Sequence, residues 1–117
     1  MDINMDIKIN RKIKSLENLI SDIKSKELPL QRVILFGSFA TNNFNEKSDL
    51  DLCLVYEKDK KPSCKDMVEI EAYIDSLVSH EMCVDFMYAT SEQIETGSRV
   101  FNSIRREGLV LWEHSGI

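Results

Sequence analysis

A chain of 117 residues has room for one hydrophobic core, which excludes a catalytic domain joined to a large substrate-binding domain. Its 43% hydrophobic and 30% charged residues are those of an ordinary soluble globular domain. The net charge of −5 argues against a surface built to grip a nucleic-acid polymer, which needs clustered Lys and Arg, but it leaves room for a mononucleotide whose charge a metal can meet.

The opening Met1-Asp2-Ile3-Asn4-Met5-Asp6 lacks the basic start and apolar block of a signal peptide. No apolar run approaches the length that crosses a bilayer. Ile9, Ile13, Leu16, Ile20 and Ile23 recur at helical spacing and predict an amphipathic helix over 7–27, with Pro29 beyond its end. Arg32–Phe36 reads as a first strand, and a short helix is expected to start at Ser38. Asp49–Tyr56 reads as a second strand, followed by a charged loop over Glu57–Pro62. Ser63-Cys64-Lys65-Asp66 is a capped helix start, and Met67, Ile70, Ile74, Leu77 and Val78 mark the buried face of the helix behind it. Met82–Tyr88 predicts a third strand, in which Cys83, Asp85 and Met87 share a face. Thr90-Ser91-Glu92-Gln93 has capping-box spacing. Gly97 interrupts the helical stretch, Val100, Phe101 and Ile104 continue it, and Gly108 is placed to end it. Leu109–Trp112 predicts a short last strand. Strands alternating with helices give an α/β or α+β domain, a small mixed sheet flanked by helices.

Cys53, Cys64 and Cys83 form no C-x-x-C pair, and Cys53 and Cys83 fall in apolar strand runs where a thiol acts as a small hydrophobe. A reducing, cytoplasmic setting is expected. His80 and His114 stand alone, without ligand spacing, and receive no role.

The chemistry concentrates in Val33-Ile34-Leu35-Phe36-Gly37-Ser38 and, after ten further residues, Asp49-Leu50-Asp51. Side chains alternate along a strand, so Asp49 and Asp51 share one face and Leu50, Leu52 and Leu54 the other. Two adjacent carboxylates repel unless a cation stands between them. Hard carboxylate oxygens suit Mg²⁺, which takes one or two protein acids and fills its other positions with water and phosphate. Gly37 and Ser38 are small residues where backbone can approach a phosphate. Together these features point to chemistry on a nucleoside triphosphate. Asp85 lies within an apolar run, where an acid is costly unless paired or metal-bound.

Gly-Ser, ten residues, then Asp-x-Asp resembles the signature of the polymerase β-like nucleotidyltransferase superfamily. Leu35-Phe36-Gly37-Ser38-Phe39-Ala40 and Ser48-Asp49-Leu50-Asp51-Leu52 are similar to its small stand-alone branch, the minimal nucleotidyltransferases (MNT). Cys83-Val84-Asp85-Phe86-Met87 fits that family's third acid, and the tail Ser103–Glu113 is similar to the ends of these proteins. The resemblance runs from about Gln31 to Glu113. One departure stands out: the family often continues Gly-Ser-x-Ala-Arg-Gly, where this chain has Ala40-Thr41-Asn42-Asn43.

The resemblance implies a single domain over 1–117 with a catalytic core at 31–113, and a third strand lying beside the second. It implies a metal site of Asp49, Asp51 and Asp85 holding two Mg²⁺ ions, with Asp85 also a candidate general base. Gly37 and Ser38 would hold the β- and γ-phosphates of ATP or another NTP. The implied reaction moves a nucleoside monophosphate, AMP from ATP, to a hydroxyl. The implied acceptor is a helical HEPN-type partner protein, this chain being the antitoxin of a toxin–antitoxin pair. No nucleic-acid polymer and no membrane partner is expected, and an oligomer stays open. Two other readings stay open: a non-catalytic antitoxin or scaffold of the same fold, and a small-molecule (antibiotic) nucleotidyltransferase.

Overall fold

The computed structural model describes residues 3–114, with side chains from Asp6 onward. The opening Met1-Asp2 of the N-terminal reading and the last three residues of the expected domain lie outside the described residues. The elements run α1 (Ile3–Ile23), β1 (Arg32–Phe36), a short 3₁₀ turn (Gly37–Phe39), β2 (Leu50–Tyr56), α2 (Cys64–Val78), β3 (Val84–Thr90), α3 (Ser91–Thr96), α4 (Arg99–Glu107) and β4 (Leu109–Glu113). The strands form one mixed sheet in the order β3-β2-β1-β4. β1 runs antiparallel to both β2 and β4, while β2 and β3 are parallel. A parallel neighbour needs a crossover, and α2 supplies it.

Strand alternation divides the core in two. Val33 and Leu35 of β1 and Leu50, Leu52 and Leu54 of β2 pack with Leu19 and Ile23 of α1 and Ile70, Ile74 and Val78 of α2. The opposite face carries Ile34, Cys53, Val55 and Ala89, covered by Ile94 of α3 and Ile104 of α4. Complete burial of each of these Leu or Ile side chains is worth roughly 1.5–3 kcal/mol. Cys53 belongs to this interior, and burial pushes its thiol up to about 11.

Local signals set the helix starts. Ser63 caps α2 by accepting from the Asp66 amide, and Thr90 and Gln93 form a reciprocal capping box on α3. The first helix departs from the expected 7–27: it spans Ile3–Ile23 and stops where the chain turns to bury Leu28 and Leu30. Trp112 Nε1 donates to the Lys26 carbonyl at 2.7 Å, and Leu28, before Pro29, is biased away from helix, both of which favour the non-helical path after Ile23. Gly108 ends α4 in extended rather than left-handed backbone, because β4 must begin at once. Cys83 is exposed just before β3 rather than packed within it.

β3 lies at the edge of the sheet, which corrects the expectation that Asp85 sits in a buried strand: Asp85 is exposed. The apolar run fooled the sequence reading because Val84 and Phe86 pack on the α1–α2 side while Asp85 points the other way. The penalty for burying a charge therefore says nothing about Asp85.

Candidate active site

β1 ends at Phe36, and Gly37 turns the chain with a φ of 76° into the 3₁₀ turn. The turn closes on Gly37 itself, whose carbonyl accepts from the Ala40 and Thr41 amides at 3.1 and 3.3 Å. The short helix thus starts one residue earlier than expected. Gly37 lies against the second strand so closely that a β-carbon there would stand 2.1 Å from Asp51 Oδ2 and 3.0 Å from its Cγ. Two separate demands therefore select glycine here: a left-handed backbone and the absence of a side chain.

Asp51 stands opposite Phe36 across the antiparallel pair and opposite Asp85 across the parallel pair. Side chains in register across neighbouring strands project to one face, with the strands roughly 4.8 Å apart. The structure thus brings Asp51 and Asp85 side by side, with Asp49 one residue before β2 and of the same parity. Burial first, then the charges of Asp85 and Asp49, raise the Asp51 carboxyl above 3.8. Both neighbours are therefore near enough to repel it. Among the described residues no Lys or Arg forms an ion pair with any of the three, since the ion pairs are Lys60–Glu57 and Arg106–Glu107. Nor, among the described residues, are three His, Cys, Asp or Glu side chains already gathered as a preformed metal-holding group. A pair of carboxylates with water and substrate phosphate remains a donor set that suits Mg²⁺.

Ser48 closes the turn before β2, its hydroxyl accepting from the Asn45 amide at 2.8 Å. Arg105 donates to the Ile94 carbonyl and to Asn102 Oδ1, tying α3 to α4. Two clefts of about 590 and 580 Å³ gather Leu28, Pro29, Glu113 and His114 at the opposite end of the sheet, where β1 starts and β4 ends. Asp49 and Asp85 are exposed and Asp51 is half-buried, at the end of the sheet away from these clefts.

The departure at Thr41-Asn42 has a structural answer. Asn42 adopts the left-handed conformation, φ 61°, at the position where the similar family often has glycine. Asn is among the few residues that enter this region readily. Thr41, at the position of the family's arginine, turns its hydroxyl onto the Gly37 carbonyl at 3.3 Å. It fastens the turn and presents no cation.

One residue escaped the sequence reading. Lys12 of α1 is only 5% exposed, and its ammonium donates to the Ser48 carbonyl at 2.8 Å. The signal was available: Ile9, Lys12, Leu16, Leu19 and Ile23 form an alternating three-four spacing, with a lysine in an otherwise apolar seam.

A family model described as a nucleotidyltransferase domain matches residues 16–108. Comparison with curated proteins finds no match. Among solved structures, a chain from a toxin–antitoxin crystal structure with AMP-PNP aligns with a TM-score of 0.52 at 19% identity, covering 87% of this chain and 73% of that one. A chain named as a candidate nucleotidyltransferase from Sulfolobus solfataricus aligns with a TM-score of 0.50 at 19% identity, covering 92% of this chain and 87% of that one. At such identities the likeness is one of fold.

Proposed function

The chain belongs to the nucleotidyltransferase domain family, and from that premise we propose that it is a Mg²⁺-dependent enzyme moving AMP from ATP to a hydroxyl of a partner protein. The observation that carries the reading is the in-register pair Asp51–Asp85, with Asp49 beside it and the Gly37 turn pressed against the Asp51 carboxylate. The donor set fits the metal: a pair of hard carboxylates with no ion-pair partner among the described residues, Asp51 raised by burial and then by the charges of Asp85 and Asp49. Asp49 and Asp51 hold the ions, and Asp85 completes the site on the acceptor side. Bound Mg²⁺ supplies charge neutralisation for the triphosphate and for the attacking and leaving oxygens.

The chain's own groups do the rest. The Gly37–Ser38 backbone and the Ser38 hydroxyl hold the β- and γ-phosphates. The acceptor oxygen bonds to the α-phosphorus, the bond from that phosphorus to the β-bridging oxygen breaks, and pyrophosphate leaves. Exposed Asp85 accepts the proton of the attacking hydroxyl. Most of the rate enhancement in such transfers comes from positioning and charge stabilisation.

The acceptor follows from the surface: Asp49 and Asp85 are exposed, so a hydroxyl presented by a partner can reach them. A fold neighbour comes from a toxin–antitoxin crystal structure with AMP-PNP, and by resemblance the partner here is a helical HEPN-type toxin with this chain as its antitoxin. The test is to purify the chain alone and with the product of its genomic neighbour, and to incubate each with labelled ATP and Mg²⁺. Label should appear on the partner and disappear with Asp49→Ala. Robust metal-dependent transfer to a small molecule or an RNA end by the isolated chain would overturn the reading. The turn's lack of a cation at Thr41 favours a second reading, neutralisation by contact alone; tight complex formation with no label on the partner would select it.

A further inference from the structure

We propose that Lys12 is a positioning residue: its buried ammonium, reaching from α1 to the Ser48 carbonyl, fixes where Asp49 enters β2 and so the spacing of the Asp49–Asp51 pair. The functional half of this statement rests on the nucleotidyltransferase reading, and the structural half does not.

A buried ammonium is a poor choice for stability alone. Lys12 occupies a seam position between Ile9 and Leu16, where an apolar side chain of similar length would pack without desolvating a charge. Among the described residues it has no carboxylate at ion-pair distance, and its one hydrogen bond goes to a backbone oxygen. Such a charge-assisted bond is short and directional. What it holds is the end of a closed turn. The Ser48 amide donates to the Asn45 carbonyl at 3.1 Å, the Asn45 amide to Ser48 Oγ at 2.8 Å, and the Lys47 amide to Asn45 Oδ1 at 2.8 Å. Upstream, Phe44 stacks on Phe39 with centroids 4.5 Å apart. The turn from 45 to 48 is thus one stiff unit, and Lys12 ties it to α1.

Asp49 follows immediately. The peptide before its α-carbon carries the Ser48 carbonyl, held by Lys12. The peptide after it carries the Leu50 amide, which donates to the Cys83 carbonyl at 2.9 Å. Both peptide planes flanking Asp49 are therefore anchored, one from the first helix and one from Cys83, the residue just before the strand that bears Asp85. Release of either lets the Asp49 carboxylate drift relative to Asp51 and Asp85. The long helix that precedes the catalytic motifs thereby takes part in the site, from the opposite face of the sheet.

The variants are Lys12→Met, which keeps length and fills the seam, and Lys12→Arg, which keeps a cationic donor. Amide hydrogen exchange of the metal-free protein reads the anchor. Mn²⁺ binding in the presence of ATP, followed by electron paramagnetic resonance, reads the site. Lys12→Met should keep or raise the global denaturation midpoint while amides of residues 45–50 exchange at least roughly tenfold faster and Mn²⁺ affinity falls by about tenfold or more, as for loss of other groups that orient metal ligands. Lys12→Arg should recover part of both. Unchanged exchange at 45–50 in Lys12→Met overturns the anchor, and faster exchange with unchanged Mn²⁺ affinity overturns its link to the site. If the wild-type chain with ATP binds no Mn²⁺, the metal reading fails, and the exchange comparison alone then decides the role of Lys12. Should Lys12→Met not fold, Lys12→Gln, which shortens the reach but keeps a neutral donor, is put through the same comparison.

Discussion

Gly37→Ala probes the tightest feature of the site. The backbone at Gly37 has φ 76°, a region that strains an L-residue by roughly 1–2 kcal/mol. The new methyl carbon would stand 2.1 Å from Asp51 Oδ2, 3.0 Å from Cγ and 3.2 Å from Cβ. Rotation of the Asp51 side chain relieves the first two contacts, and an off-rotamer turn of about 30° adds about 0.5–1.5 kcal/mol. The third contact is tight and needs a small backbone shift as well. The expected loss is about 2–3 kcal/mol, which lowers the melting temperature by about 8–12 °C in a domain of this size. Circular dichroism melts of four proteins test it: wild type, Gly37→Ala, Asp51→Ala and the double variant. Removing the carboxylate removes most of the clash but not the backbone strain. Gly37→Ala should therefore be milder in the Asp51→Ala background, by about 1 kcal/mol of coupling. Equal losses in the two backgrounds, or a loss below about 0.5 kcal/mol in wild type, would refute the reasoning. Because the methyl displaces the carboxylate, Gly37→Ala should also depress nucleotide transfer more than its stability loss explains.

Three further outcomes are expected. Burial and the charges of Asp85 and Asp49 raise the Asp51 carboxyl above 3.8, so the folded protein holds that proton more tightly than the unfolded chain does. Wild type should therefore gain on Asp51→Asn as the pH falls; the variant is the more stable at neutral pH, with the gap closing towards 3.8, as denaturant titrations at several pH values will show. Asp85→Asn, on the exposed edge, should abolish nucleotide transfer while leaving the melting temperature equal or higher; transfer at the normal rate would remove Asp85 from the chemistry. Asn42→Ala should lose about 1 kcal/mol by forcing a β-carbon without a compensating side chain into left-handed backbone, whereas Asn42→Gly should match or exceed wild type in urea midpoint.

The elements of this fold were legible because the forces that start and stop them are local. Ser63 and the Thr90–Gln93 pair cap helices with atoms three residues away. The alternation of Leu50, Leu52 and Leu54 against Asp51 and Cys53 follows from strand geometry alone. The errors fall where a distant group intervenes. The first helix ends early because Leu28 and Leu30 enter the core and Trp112, far along the chain, donates to the Lys26 carbonyl. Asp85 looked buried because its apolar neighbours do pack, and nothing in Cys83–Met87 tells an edge strand from a central one.

By itself, the sequence determined the alternation of helices and strands, the shared strand parity of Asp49 and Asp51, and the small residues at the Gly37-Ser38 turn. These depend on spacings of a few residues, which backbone geometry converts directly into direction. Only the tertiary structure decided that Asp85 lies in register with Asp51, that β3 is the edge strand, that Gly37 is pressed on the Asp51 carboxylate, and that Lys12 reaches 36 residues ahead to hold Ser48. Such pairings are set by which packing of the whole chain buries the most apolar surface while leaving buried polar groups bonded, and no local pattern encodes that choice.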